Sequence, residues 1–180
     1  MTVCTIVSFR LGGTDGVSIV ADHWRDALTR LGFDVRTVAG SGPVDVTIPD
    51  LAIGRWPDGL AGIDGPTGAD PTRIDALADE LRAALADADL VVVENLGTIP
   101  MNLPASIALA SVRRGRPTIW HHHDPAWQRD RYRGDELPIT PDDVAWRHVA
   151  ICDVTRDQLR ERGFDARTIR NGFDTAAAPG

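Results

Sequence analysis

Apolar positions along this chain alternate between two periods. Val3, Cys4, Ile6, Val7 and Phe9 form a near-continuous apolar run of the length that a strand buried on both faces needs. Gly12, Gly13 and Gly16 follow, and then Val17, Val20, Trp24, Leu28 and Leu31 recur at helical spacing up to Gly32, which stands where a helix C-cap belongs. Strand, glycine turn and helix make the first unit of a βαβ fold. Free backbone N–H groups and a positive helix end then lie beside the carboxyl end of the first strand, which suits an anion.

The alternation continues down the chain. Residues 33–38 predict a second strand, and residues 44–48 or 51–53 a short third one. Residues 54–70 are rich in Gly, Pro and Asp and predict a loop. Pro71 opens a helix whose buried face is Ile74, Leu77, Leu81 and Leu85. Residues 90–93 predict a fully buried parallel strand that delivers Glu94 and Asn95 to its carboxyl end. A helix over 104–114 ends at Gly115, and a strand over 117–120 runs into His121, His122, His123 and Asp124. Residues 125–145 predict a loop with short helical turns. A strand over 149–151, a helix over 153–162 and a strand over 168–170 ending at Asn171-Gly172 complete the pattern.

This order predicts the α/β class: a Rossmann-like, doubly wound parallel sheet of about six to seven strands with helices on both faces. At 180 residues the chain suits one domain, taken as residues 1–174, with 175–180 reading as a truncated interdomain linker. Ligands of such sheets bind beyond the carboxyl ends of the strands. The glycine loop, Glu94-Asn95, His121–Asp124 and Asn171 should therefore share one rim.

Composition narrows the partners. The net charge is −7, all of it from residues 1–90, where seven Arg face fourteen acids; residues 91–180 balance twelve against twelve. No basic face is present, so nucleic acid is not an expected partner. The chain has no Lys, so any phosphate must be held by Arg, His or backbone. Two distant cysteines imply a reducing compartment, and no apolar run of membrane-spanning length occurs. A cytoplasmic location follows, or a peripheral one at the inner face of the membrane.

The glycine loop fails the dinucleotide pattern: Leu11 stands where its first Gly is required, and Val38-Ala-Gly40 where an acid is wanted. It remains a turn, or a close backbone approach to a phosphate or sugar. His121 and His123 would share one strand face and could ligate zinc, but the H-x-H-x-D pattern needs Asp at 125, which is Pro. No metal is expected; a metal-dependent hydrolase using His121, His123 and Asp124 is the alternative. A histidine here could also donate to a phosphate or a sugar hydroxyl. Arg113, Arg114 and Arg116 complement a helix C-terminus. Arg129, Arg131 and Arg133 stand either in a solvated loop or near substrate charge. Cys152 reads as a buried, inert thiol.

In order, Gly12-Gly13 before a helix, Gly32-Phe-Asp-Val35, Asp89-Leu-Val-Val-Val93 with Asn95, His123-Asp124, Ala150-Ile-Cys-Asp153 and Ile169-Arg-Asn-Gly-Phe-Asp174 resemble the family-four glycosyltransferases over nearly the whole chain. The resemblance implies the amino-terminal, acceptor-side domain of the two-domain GT-B fold. It also implies retaining transfer of a hexosyl group from a nucleotide-sugar to an acceptor hydroxyl, with no cofactor and no tightly bound metal. By motif, Gly12 and Gly13 line the donor phosphates, Asn95 joins that donor-binding set, and Asn171 lines the cleft near the hinge. His123 and Asp124 form the catalytic pair, with His123 reaching the transferred sugar. The acceptor would be a small molecule, a lipid or a glycan. The family's E-x7-E signature is absent, since no two of Glu80, Glu94, Glu136 and Glu161 are eight apart. A partial enzyme follows, completed by a missing carboxyl-terminal domain or a second chain, with little or no activity alone. A non-catalytic sugar- or nucleotide-binding module of the same fold is the alternative.

Overall fold

The computed structural model describes residues 1–56, 71–130, 132 and 139–172. In chain order the elements are β1 (Val3–Ser8), α1 (Gly16–Arg30), β2 (Asp34–Ala39), β3 (Val46–Thr47), α2 (Pro71–Ala84), β4 (Leu90–Glu94), α3 (Leu103–Arg113), β5 (Thr118–His122), β6 (Trp146–Ala150), α4 (Asp153–Glu161) and β7 (Ala166–Thr168). Single 3-10 turns lie at Pro49–Leu51 and Ala126–Gln128. The strands form one sheet in the order β3-β2-β1-β4-β5-β6-β7, and every pairing is parallel.

Right-handed crossovers explain where the helices lie. The chain steps one way along the sheet from β1 to β3, then crosses back to β4 and steps the other way. Helices of the two halves therefore cover opposite faces. On one face Ala21 and Leu28 of α1 pack with Cys4, Ile6 and Val92. On the other, Leu77 and Leu81 of α2, Leu109 of α3 and Leu159 of α4 pack with Val7, Val93 and Trp120. The reversal makes β1 and β4 a topological switch point, where ligands of open α/β sheets bind.

Boundaries differ from the pattern where apolar content misleads. The third strand is only Val46–Thr47; Leu51 is buried through the 3-10 turn rather than by pairing. The sixth strand starts at Trp146 because that indole, stacked edge-on against Trp120, is buried. The seventh is Ala166–Thr168, two residues earlier than its apolar marker Ile169, which is exposed. Residues 57–70 and 173–180, covering most of the expected loop and the linker, lie outside the described residues, as do Arg131 and Arg133. Among the described residues no helix is long and apolar enough to cross a membrane.

Candidate functional site

Side chains alternate across a strand, so Glu94 and His121 continue the face begun by Val92 and Ile119, beneath α1. The parallel register sets Glu94 beside His121, and His123 lies two residues further on the same side. Glu94 is completely buried. His123 Nε2 is 2.8 Å from Glu94 Oε2, and His121 Nδ1 is 3.1 Å from both carboxylate oxygens. Burial alone would raise the Glu94 pKa, but hydrogen bonds from the two imidazoles outweigh it and hold the carboxyl below its ordinary value.

Trp24 reaches down from α1 to the same cluster. Its ring meets His121 edge-on at 5.6 Å, and its Nε1 is 3.0 Å from His121 Nδ1. That nitrogen cannot both accept from the indole and donate to the carboxylate. A hydrogen bond to a buried charge is roughly twice as strong as a neutral one. Donation to Glu94 therefore prevails. The other nitrogen, His121 Nε2, is buried with no hydrogen-bond partner among the described residues.

Glu94, His121 and His123 are residue types that can hold a metal, with donor atoms within 4.8 Å of one another. Asp124, the third ligand expected of a hydrolase, instead pairs with Arg129. In the structure both histidines are hydrogen-bonded to the carboxylate.

Asn95 organises the backbone beyond the strands. Its φ of 62° lies in the left-handed region, which Asn tolerates better than most residues. From there its Oδ1 accepts the backbone N–H of both His123 and Asp124, each at 3.1 Å.

The glycine loop is packed for reasons of its own. Gly12 has φ +76°, and a Cβ there would lie 2.4 Å from Pro43 of the β2–β3 connection. The positive end of α1 already has an anion: Asp15 caps the helix, accepting from the Ser18 N–H and hydroxyl at 3.2 and 3.0 Å, with Arg10 at 3.4 Å. These contacts outweigh the effect of burial and lower its pKa. A phosphate at this rim would meet the N–H groups of the loop rather than a bare helix end. Beside the loop, Leu11, Gly12, Ala21, Arg25 and Thr37 line a cavity of about 150 Å³.

On the opposite sheet face His122 and His148 form a second chain that sequence spacing did not reveal. His148 Nε2 is 3.0 Å from Asp142 Oδ1, its Nδ1 is 3.0 Å from His122 Nε2, and His122 Nδ1 is 3.1 Å from the Thr98 hydroxyl. Burial depresses both pKa values, that of His122 strongly. The tautomers follow: His148 donates to Asp142, His122 donates to His148, and Thr98 donates to His122.

One sequence expectation, the burial of Cys152, needs correction. Arg113 ends α3 as expected and is also fully buried; it donates to Thr118 Oγ1 and the Pro117 carbonyl, and burial lowers its pKa to about 10. Cys152 is exposed, not buried, and hydrogen bonding with Thr155 lowers its pKa; Cys4 is the buried thiol, pushed up to about 12. Asn171 follows the carboxyl end of the outermost strand β7 and is exposed.

Residues 14–177 match the model of Glycosyltransferase Family 4. The chain belongs to that family. Among curated relatives, this family-4 domain is 28% identical over 194 residues to mannosylglucosylglycerate synthase of Thermotoga maritima. It is 25% identical over 193 residues to the enzyme of the same name from Petrotoga mobilis. Each alignment covers 94% of this chain and 44% of the relative, so the chain spans less than half the length of the relatives it matches. The family-4 domain is thus a glycosyltransferase-family domain built on a Rossmann-like parallel α/β sheet.

Proposed function

We propose that this domain is the acceptor-side half of a retaining glycosyltransferase that moves a hexosyl group from a nucleotide-sugar to an acceptor hydroxyl. The observation that carries the reading is the placing of His123. It follows β5 at the rim, one strand from the β1/β4 switch point, with its ring held by Glu94 and its backbone by Asn95. In this reading His123 contacts the transferred sugar, and Asp124 stands beside it. Gly12 and Gly13 offer backbone N–H groups to the donor phosphates, where a leaving diphosphate needs stabilisation. Asn171 borders the cleft toward a donor-binding domain supplied by further chain or by a partner. The relatives' name makes a mannosyl donor and a glycosylated hydroxy acid the first pair to assay.

The test is sugar transfer followed by mass spectrometry, using this chain alone and then joined to a donor-binding domain. Transfer only by the joined protein, with the donor's anomeric configuration kept, is the expected outcome. Robust turnover by the 180 residues alone would overturn the half-site reading. Sugar binding without turnover in the joined protein would establish a binding module instead.

A further inference from the structure

We propose that Glu94 is a positioning residue for His123: it fixes the ring proton on Nε2 and so makes Nδ1 an acceptor for a sugar hydroxyl. This rests on the sugar-contact reading of His123 and adds which kind of group the ring can recognise.

A buried carboxylate with no donors is prohibitively costly, and Glu94 has two imidazole nitrogens within hydrogen-bond distance, His123 Nε2 at 2.8 Å being the shorter. An ionised carboxylate only accepts, so Nε2 must carry a proton. In the neutral ring that leaves a lone pair on Nδ1. Among the described residues Nδ1 has no hydrogen-bond partner, and it is not among the buried polar atoms left without one, so it keeps access to solvent at the rim. A bare lone pair accepts from an O–H and repels a phosphate oxygen. Sequence reading left both ligands open for this histidine; the geometry selects the hydroxyl.

Position is fixed together with protonation. The ring is gripped at Nε2 by the carboxylate, and its backbone N–H is held by Asn95 Oδ1 at 3.1 Å. His121 backs the carboxylate from the other side and meets the His123 ring at 4.5 Å, which closes off alternative orientations for Glu94. Two anchors on one residue leave little freedom for Nδ1.

The test is long-range proton–nitrogen correlation NMR on the histidine-labelled chain near neutral pH, with His123→Gln used to assign the His123 signals. Wild type should show His123 as a single Nε2–H tautomer. Glu94→Gln should turn it into a mixture, because a carboxamide can donate as well as accept. A wild-type proton on Nδ1, or an unchanged spectrum in a folded Glu94→Gln, overturns the proposal. If that variant does not fold, His121→Phe leaves His123 as the sole imidazole donor to Glu94. Its tautomer should then stay on Nε2, and a move to Nδ1 overturns the proposal. No sugar is present in these measurements, so a chain that passes them and yet binds no sugar disproves the transferase reading while leaving Glu94 in its role. In an active joined protein, a donor lacking the contacted hydroxyl should abolish most of the difference in kcat/KM between wild type and Glu94→Gln. A difference that persists with every deoxygenated donor counts against the hydroxyl assignment.

Discussion

The Oδ1 atom of Asn95 accepts the backbone N–H of His123 at 3.1 Å, and the same oxygen takes the N–H of Asp124 at the same distance. One side chain at the end of β4 thereby sets the path of the chain leaving β5. Asn95→Ala should destabilise the domain by about 2–3 kcal/mol, since it strands two N–H groups and puts Ala at a left-handed φ. Asn95→Gly keeps the φ without strain and should cost less. Urea unfolding of both variants checks the order; equal losses would show that the left-handed φ adds no strain, and no loss in Asn95→Gly that the side-chain bonds contribute nothing.

The competition at His121 Nδ1 predicts an asymmetry between its neighbours. Trp24→Phe keeps an aromatic ring at this position and removes the indole N–H together with part of the ring, so it should change stability by no more than about 1–2 kcal/mol. Glu94→Ala removes the acceptor for two buried rings and should cost about 3–5 kcal/mol. Chemical denaturation measures both, and a large loss in Trp24→Phe would reverse the assignment of the Nδ1 proton.

The His122–His148 pair predicts acid sensitivity. Burial lowers both folded-state pKa values from the ordinary 6.5, so both rings fold neutral, while in the unfolded chain they take up protons below that pH. Unfolding then binds protons, and stability is fully present above about pH 6.5 and falls as the pH drops below it. Each ring contributes up to about 1.4 kcal/mol per pH unit. The lowered Asp and Glu pKa values, Glu94 among them, act in the same direction but only nearer pH 4. Unfolding free energies at pH 7.5 and 5.5 should differ clearly in wild type and less in His148→Asn; no difference in wild type would refute the linkage.

Arg113 is a buried cation whose Nη1 has no partner among the described residues. Replacing an uncompensated buried charge by an apolar side chain of similar length is often neutral. Arg113→Met should therefore stay within about 1 kcal/mol of wild type, whereas Arg113→Ala should lose about 2–4 kcal/mol through the cavity it leaves. Thermal unfolding of the pair decides it.

The two thiols should differ sharply in native protein. Cys152 is exposed with a lowered pKa, and Cys4 is buried with its pKa pushed up to about 12. A thiol-specific chromogenic reagent should titrate one cysteine before unfolding and both after it, and Cys152→Ser should abolish the native reaction.

The fold was legible because its determinants are local. Continuous apolar runs such as 90–93 have to be buried on both faces, and Gly32 and Gly115, both at positive φ, terminate helices α1 and α3 where the pattern required it. That strand and helix alternate is enough, through crossover handedness, to give a parallel sheet and a common rim. Short strands at the sheet's ends were less legible, since two or three residues carry no period.

The sequence by itself determined that Asn95, His123 and Asp124 stand at the carboxyl ends of neighbouring strands, and the ordered motifs placed them in the family that the match to residues 14–177 shows. Only the tertiary structure decided what each histidine in the run does. Adjacent residues on a strand face opposite ways, so His121 and His123 turn to Glu94 and Trp24 while His122 turns to His148. Those partners lie 26 or more residues away along the chain, and no local spacing encodes a contact made by strand register.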